Sequence, residues 1–219
     1  MTRQEKILKA IDKQKILPAF FHEELNFCVK MLQILYRSGI RVAEFTMQGQ
    51  HGLPNFKAVR RICVEILPDM YIGVGNIRSS DIAHSTIDAG ADFLMSPVFD
   101  TGVCDVAYLH KTLWIPGCMT PSEIHDADKA GCKVMQLFPA NILDPGFLES
   151  VKEIFPGLSF IPSGNISPDV GAILPWLHSG ALAVRVGSCF ITRAFLENKQ
   201  EDMLPHNIEN LLNEIALNY

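Results

Sequence analysis

Ala130-Gly131-Cys132-Lys133-Val134-Met135-Gln136-Leu137-Phe138-Pro139-Ala140 contains a complete structural unit in eleven residues. A small residue and a glycine end a helical pattern, a largely apolar run of strand length follows, and a proline stops it. Glycine suits the junction because the position just past a helix favours the left-handed conformation, which is costly for any residue with a Cβ. The same junction recurs at Ser38-Gly39-Ile40, Ala89-Gly90-Ala91 and Ser179-Gly180-Ala181. Helix starts are also readable. In Thr120-Pro121-Ser122-Glu123 the threonine caps, the proline opens the first turn and the glutamate closes a capping box, and Ser167-Pro168-Asp169 repeats the start of that device.

Between these markers lie eight apolar runs of strand length, at 16–21, 42–47, 71–76, 93–96, 113–115, 134–138, 158–161 and 182–186. Strand-length runs alternating with helical segments indicate βαβ units and a parallel sheet, and eight of them predict closure into a single (β/α)8 TIM barrel spanning residues 1–219. An open doubly wound sheet is the competing architecture. It would normally carry a glycine-rich phosphate fingerprint after the first strand, and Phe20-Phe21-His22-Glu23-Glu24 is nothing like one. The final segment, 202–219, reads as a closing helix.

The chain has 219 residues and is 48% hydrophobic, enough to bury one core in one domain. Its 19 basic and 24 acidic residues are scattered and sum to a formal charge of −5, which offers no footprint for nucleic acid or an anionic membrane. No apolar run approaches the roughly 18 to 20 residues needed to span a bilayer, and Met1-Thr2-Arg3-Gln4-Glu5-Lys6 lacks the apolar core of a secretory signal. The expectation is a soluble cytoplasmic protein. The six cysteines, Cys28, Cys63, Cys104, Cys118, Cys132 and Cys189, form no C-x-x-C pair and are expected to be reduced and mostly buried.

In such barrels the active site lies at the carboxyl ends of the strands, so polar residues there carry the most information. Glu44, Thr46 and Gln48 alternate with Phe45 and Met47, which puts the three polar side chains on one strand face. That face points either into the barrel or outward toward helix ends and water. In 134–138, Val134, Gln136 and Phe138 share one face, while Lys133, Met135 and Leu137 share the other. Near the ends of the last two runs, Pro162-Ser163-Gly164-Asn165-Ile166-Ser167 and Val186-Gly187-Ser188 supply small residues and backbone N–H groups where barrels of this kind often bind phosphate.

The chain resembles the 2-keto-3-deoxy-6-phosphogluconate / 4-hydroxy-2-oxoglutarate aldolases from about residue 10 to 195. The motifs that carry the resemblance follow in order: Glu44-Phe45-Thr46, Gly73-Val74-Gly75-Asn76, Phe93-Leu94-Met95-Ser96-Pro97, Ile115-Pro116-Gly117-Cys118-Met119-Thr120-Pro121-Ser122-Glu123 and Leu137-Phe138-Pro139-Ala140. The resemblance implies class I cleavage of a 2-keto-4-hydroxy acid to pyruvate and an aldehyde, through a lysine imine and a proton-shuttling glutamate. It also implies a homotrimer. On this basis Glu44 matches the glutamate, while the lysine falls on Gln136 and the carboxylate-binding arginine on Gln48. Thr46, Gln48, Asn76, Pro97 and Phe138 become the candidate substrate contacts, and Ser163, Gly164, Asn165, Gly187 and Ser188 the candidate phosphate contacts. Val186 stands at a former glycine, which is expected to hinder close backbone approach to phosphate.

A carboxamide cannot form an imine, which needs a primary amine that can lose a proton. Lys133 lies an odd number of positions from Gln136 and so faces the other way. Losing arginine at Gln48 removes a charge-assisted, bidentate contact. Two functions remain open: an aldolase-family lyase with impaired chemistry, or a non-catalytic or repurposed barrel that binds a small polar or phosphorylated metabolite. Metal-assisted aldol chemistry using Glu44 with His22 finds no ligand spacing to support it, so no metal or other cofactor is expected, and the expected partner is a small 2-keto acid or sugar-acid phosphate.

Overall fold

The computed structural model of the chain describes residues 1–187 and 204–219. Strands and helices alternate: α1 (Arg3–Gln14), β1 (Ile16–Phe20), α2 (Leu25–Arg37), β2 (Val42–Thr46), α3 (Gly52–Ile66), β3 (Tyr71–Gly75), α4 (Ser80–Asp88), β4 (Phe93–Met95), α5 (Thr101–Leu109), β5 (Leu113–Ile115), β6 (Gly117–Cys118), α6 (Pro121–Lys129), β7 (Val134–Leu137), α7 (Pro145–Ile154), β8 (Ser159–Pro162), α8 (Val170–His178), β9 (Val184–Val186) and α9 (Leu204–Asn218). Every pairing is parallel. Six strands run in the order β5-β4-β3-β2-β1-β9, and three more in the order β6-β7-β8. Among the described residues no helix is long and apolar enough to cross a membrane.

Each of the eight expected runs contains a strand, and the fifth continues beyond its expected end as β6. Pro116 divides the two pieces. It has no N–H to give to a ladder, while its carbonyl accepts from Gln136 N at 2.8 Å. The chain therefore pairs with β4 before the proline and with β7 after it. Between β8 and β9 the contacts are Leu182 N donating to Phe160 O at 2.8 Å and a bridge from Ser163 to Arg185.

The four junction glycines, Gly39, Gly90, Gly131 and Gly180, have φ of 87°, 91°, 90° and 91°, the conformation for which glycine was expected there. The capping box at Thr120 and Glu123 forms as read. Helix α8 starts later than Ser167-Pro168-Asp169 suggested. Its cap is Asp169, whose carboxylate accepts from Ala172 N at 2.9 Å and places negative charge against the positive end of the helix.

Strand periodicity sorts the core into two parts. Phe45, Val74, Leu94, Met135, Leu137, Phe160, Val184 and Val186 face the helices. Leu17, Val42, Phe93, Met95, Ile115, Val134 and Ile161 meet inside, with Ile7 and Ile11 of α1 packed against them. The apolar interior fills the amino ends of the strands and leaves the carboxyl ends for polar side chains.

Asp92 ties β3 to the helices. It is 4% exposed, accepts from Ile72 N at 2.7 Å and from Arg60 at 3.1 and 3.3 Å, and is also paired with Arg3. Asp92→Ala leaves a buried N–H and a largely buried guanidinium without their acceptor. We expect a loss of about 3 kcal/mol of unfolding free energy, read from urea denaturation.

Candidate active site

A cavity of about 220 Å³ opens at the carboxyl ends of the strands. Eight residues expected from the sequence line it: Glu44, Thr46, Gln48, Asn76, Pro97, Gln136, Phe138 and Ser163. The polar face of β2 thus points inward, which resolves the alternative left open by the strand period. Two further lining residues, Met95 and Arg185, were not anticipated.

Glu44 is 1% exposed, and both its oxygens accept from Arg185. Nη2 donates to Oε1 at 2.7 Å and lies 3.4 Å from Thr46 Oγ1, Nε donates to Oε2, and Thr46 Oγ1 donates to Glu44 Oε1 at 3.1 Å. The pair spans β1, which lies between β2 and β9. Opposite Glu44 in the β1 ladder is Ala19, whose single methyl leaves room for the arginine to cross. Burial pushes the pKa of Arg185 down, but the charge and hydrogen bonds of Glu44 outweigh that and hold it above its usual value. Arg185 is therefore a permanent cation in this wall.

Gly75 makes room for this carboxylate. A Cβ at residue 75 would lie 1.8 Å from Glu44 Oε1. The neighbouring Val74 turns outward into the helix-facing core, so Gly73-Val74-Gly75 alternates between making space and filling it. Asn76 follows at φ 64° and donates from its side chain to Met47 O at 2.8 Å, which holds the turn after β2 beside the cavity.

Gln136 is 5% exposed, and its amide nitrogen donates to Ser96 O. A carbonyl can only accept, so the contact fixes which end of the carboxamide is nitrogen and leaves the amide oxygen for the cavity. An amide nitrogen, with its lone pair delocalised into the carbonyl, is not a nucleophile. No lysine is among the described residues that line the cavity. Lys133 is exposed and paired with Asp128 at 2.7 Å.

At the end of β8, Gly164 and Asn165 have φ of 115° and 54°, so Asn165 adopts the left-handed geometry that asparagine tolerates. The obstruction expected from Val186 does not arise. Its side chain is fully buried in the helix-facing core, because residue 186 lies on the outward parity of β9. Gly187 follows, and among the described residues beyond its chain neighbours Arg185 Nη1 is the nearest atom to where its Cβ would be, at 4.0 Å. Ser188, also expected to contact phosphate, lies outside the described residues, as does Cys189. His22 is not a cavity residue: it stacks on Phe27 at 4.1 Å between ring centres and accepts from Glu24 N at 3.0 Å.

Residues 7–206 match the family model described as KDPG and KHG aldolase. A 2-dehydro-3-deoxy-phosphogluconate aldolase of Treponema pallidum is 27% identical over 161 residues, covering 73% of this chain and 75% of that protein. The enzyme of the same name from Pseudoalteromonas atlantica is 30% identical over 156 residues, 70% of each chain. The crystal structure of KDPG aldolase from Legionella pneumophila, with pyruvate captured as a covalent carbinolamine intermediate, superposes with a TM-score of 0.82 at 20% identity, covering 96% of this chain and 98% of that one.

The space at Gly75 gives a direct test of the buried pair. Gly75→Ala should displace the Glu44 carboxylate and cost about 3 kcal/mol, whereas in a Glu44→Ala background the same change should cost under about 1 kcal/mol. A double-mutant cycle by urea denaturation should therefore show coupling of about 2 kcal/mol between the two positions.

Proposed function

This chain belongs to the KDPG and KHG aldolase family, and we propose on that footing that it binds a small 2-oxo carboxylate in the cavity at its strand ends without forming an imine. The observation that carries this reading is Gln136, a carboxamide pinned to Ser96 O where the resemblance places the imine-forming lysine. Cleaving a 2-keto-4-hydroxy acid breaks the C3–C4 bond and sends its electron pair toward C2. An iminium at C2 takes up that pair readily, whereas an unactivated ketone does so far less well. Class I cleavage is therefore lost or strongly impaired in this chain.

What remains favours recognition over turnover. Both oxygens of Glu44 accept from Arg185 and Oε1 also accepts from Thr46 Oγ1, so the carboxylate is held in place by its neighbours. Gln48 offers a neutral amide where the resemblance places a cationic clamp. A residual lyase reaction stays open because Glu44 and Thr46 are retained in the cavity with the spacing the family motif requires.

The finer architecture belongs to the same proposal. β5 and β6, read as one strand bent at Pro116, and the contacts from β8 to β9 support a closed eight-stranded barrel. Gly164, Asn165 and Gly187 are proposed to face a phosphorylated end through their backbone N–H groups when the ligand has one, and Ser163, expected there from the sequence, is proposed instead to meet the carboxylate. The homotrimer and the cytoplasmic location are proposals that rest on the resemblance alone.

Borohydride trapping tests the central claim. Pyruvate with borohydride is expected to leave the intact mass of the protein unchanged, while Gln136→Lys is expected to give one adduct mapping to residue 136. A lysine there would sit among buried groups that disfavour its charged form, which brings free amine within reach near neutral pH. Measurable cleavage is expected to need Gln48→Arg as well, because the substrate must be held to within about 1 Å. A stoichiometric adduct on the unaltered protein would overturn the proposal.

A further inference from the structure

We propose that Arg185 is the ligand anchor of this cavity, forming with Ser163 Oγ a site for the carboxylate of a small 2-oxo acid. The inference rests on the reading that the cavity takes such an acid, and it names the groups that hold it.

A guanidinium carries five N–H groups in a rigid plane. On Arg185 the Nε hydrogen and those of Nη2 are directed to Glu44 and Thr46, which locks the plane in place. The two hydrogens of Nη1 have no partner among the described residues, and Nη1 lies on the side of Gly187, where a Cβ would find no other atom of the described residues within 4 Å beyond its chain neighbours. The result is a cation held still by one carboxylate, with an edge that no described residue occupies, which is the arrangement that receives a second carboxylate. Fixing the donor in advance also removes the cost of ordering a long side chain when the ligand arrives.

Ser163 supplies an independent observation. It is 1% exposed, and its Oγ is the one buried side-chain N or O atom without a hydrogen-bond partner among the described residues. Its backbone is fully engaged, with its N–H donating to Leu137 O and its carbonyl accepting from Ala140 N. Leaving a buried hydroxyl unpaired is unfavourable, so such a group in a cavity wall marks where a ligand would complete the bonding. Ser163 and Arg185 are paired across a parallel bridge, so their side chains leave neighbouring strands at the same level and on the same face. Hydroxyl and Nη1 can therefore reach one ligand carboxylate together.

The charges favour a single negative group. Glu44 and Arg185 are the only ionisable side chains lining the cavity among the described residues, and they cancel. A monoanion meets the free edge of the guanidinium, whereas a second negative charge on the ligand would face Glu44 with no cation left to balance it. The amide oxygen of Gln136, an acceptor, suits a hydroxyl on the far side of the ligand and disfavours another carboxylate.

Pyruvate is the probe, titrated calorimetrically into the unaltered protein and its variants. Ser163→Ala is expected to weaken binding about 5- to 10-fold, and the charge-neutral double variant Glu44→Gln/Arg185→Gln about 10- to 100-fold. Glu44→Gln alone is expected to tighten binding several-fold, because it frees the guanidinium from its internal partner. A merely structural arginine would not produce that gain. Inorganic phosphate, titrated in parallel, is expected to bind more weakly than pyruvate. If the unaltered protein binds no pyruvate, both the proposed function and the anchor fall. If it binds pyruvate and all three variants stay within 2-fold of it, the anchor is wrong and the proposed function stands. Tighter binding of phosphate than of pyruvate would also overturn the carboxylate assignment.

Discussion

The buried ion pair between Glu44 and Arg185 organises the carboxyl end of this molecule. Neither charge could remain there alone, since removing one partner of a buried pair leaves the other without compensation. Its demands extend into the backbone. Residue 75 must lack a Cβ, residue 19 must be small, and Thr46 must turn its hydroxyl toward the same carboxylate. The pair also joins β2 to β9 over the top of β1, so it spans three strands at the edge of the cavity. Four separate stretches of chain, near residues 19, 44, 75 and 185, are thus constrained by one electrostatic contact.

That contact also limits the chemistry. A carboxylate with both oxygens occupied is a poor proton shuttle, and an amide at residue 136 cannot serve as nucleophile or electron sink. The two features reinforce one another. On the proposed reading no imine forms, so a mobile base has little to do; with the base held by a guanidinium, an imine would lack its proton acceptor. Binding has the opposite requirement. A rigid cation, an unpaired hydroxyl and an oriented amide are useful because they do not move.

Much of the framework could be read directly from the chain. The four glycines at helix ends, the threonine box before α6 and the eight strand-length runs each follow from local chemistry that does not depend on distant residues. Helix α1 has equally local signals, a Thr2/Glu5 capping box and an apolar stripe through Ile7 and Ile11, but these lay outside the βα pattern that directed the reading. The continuation of the fifth strand past Pro116 was not foreseen, and the start of α8 was read a few residues before its cap at Asp169, because each depends on which partner the backbone finally meets. Arg185 was the larger omission. It stands between Val184 and Val186 in a run classed as apolar, yet its parity turns it inward, and a lone inward cation in a buried strand requires an acid. Glu44, on a strand one removed, was that acid. Sequence period gives the face of each strand, but not which strands become neighbours, so the pair could be seen only once β9 was placed beside β1. The supposed obstruction by Val186 failed for a related reason: the same parity that turns Arg185 inward turns Val186 out.

The positions that hold the fold together are not the positions that decide its chemistry. The inner apolar cluster and α1 occupy the amino ends of the strands, and Asp92 fastens β3 to Arg60 at a site that includes no cavity residue. Those interactions do not depend on what residues 48 and 136 carry. A glutamine in place of a charged side chain at either position therefore costs the frame little, provided each new amide finds a partner or water. Gln136 finds Ser96 O, and Gln48 sits exposed at the cavity rim. The arginine at residue 185 is different, because it enters a buried strand and needs Glu44 to be tolerated there. On the proposed reading, a glutamate needed only as a catalytic base would have little to do opposite an amide. In this chain Glu44 is the counter-ion of Arg185, and that task does not require turnover.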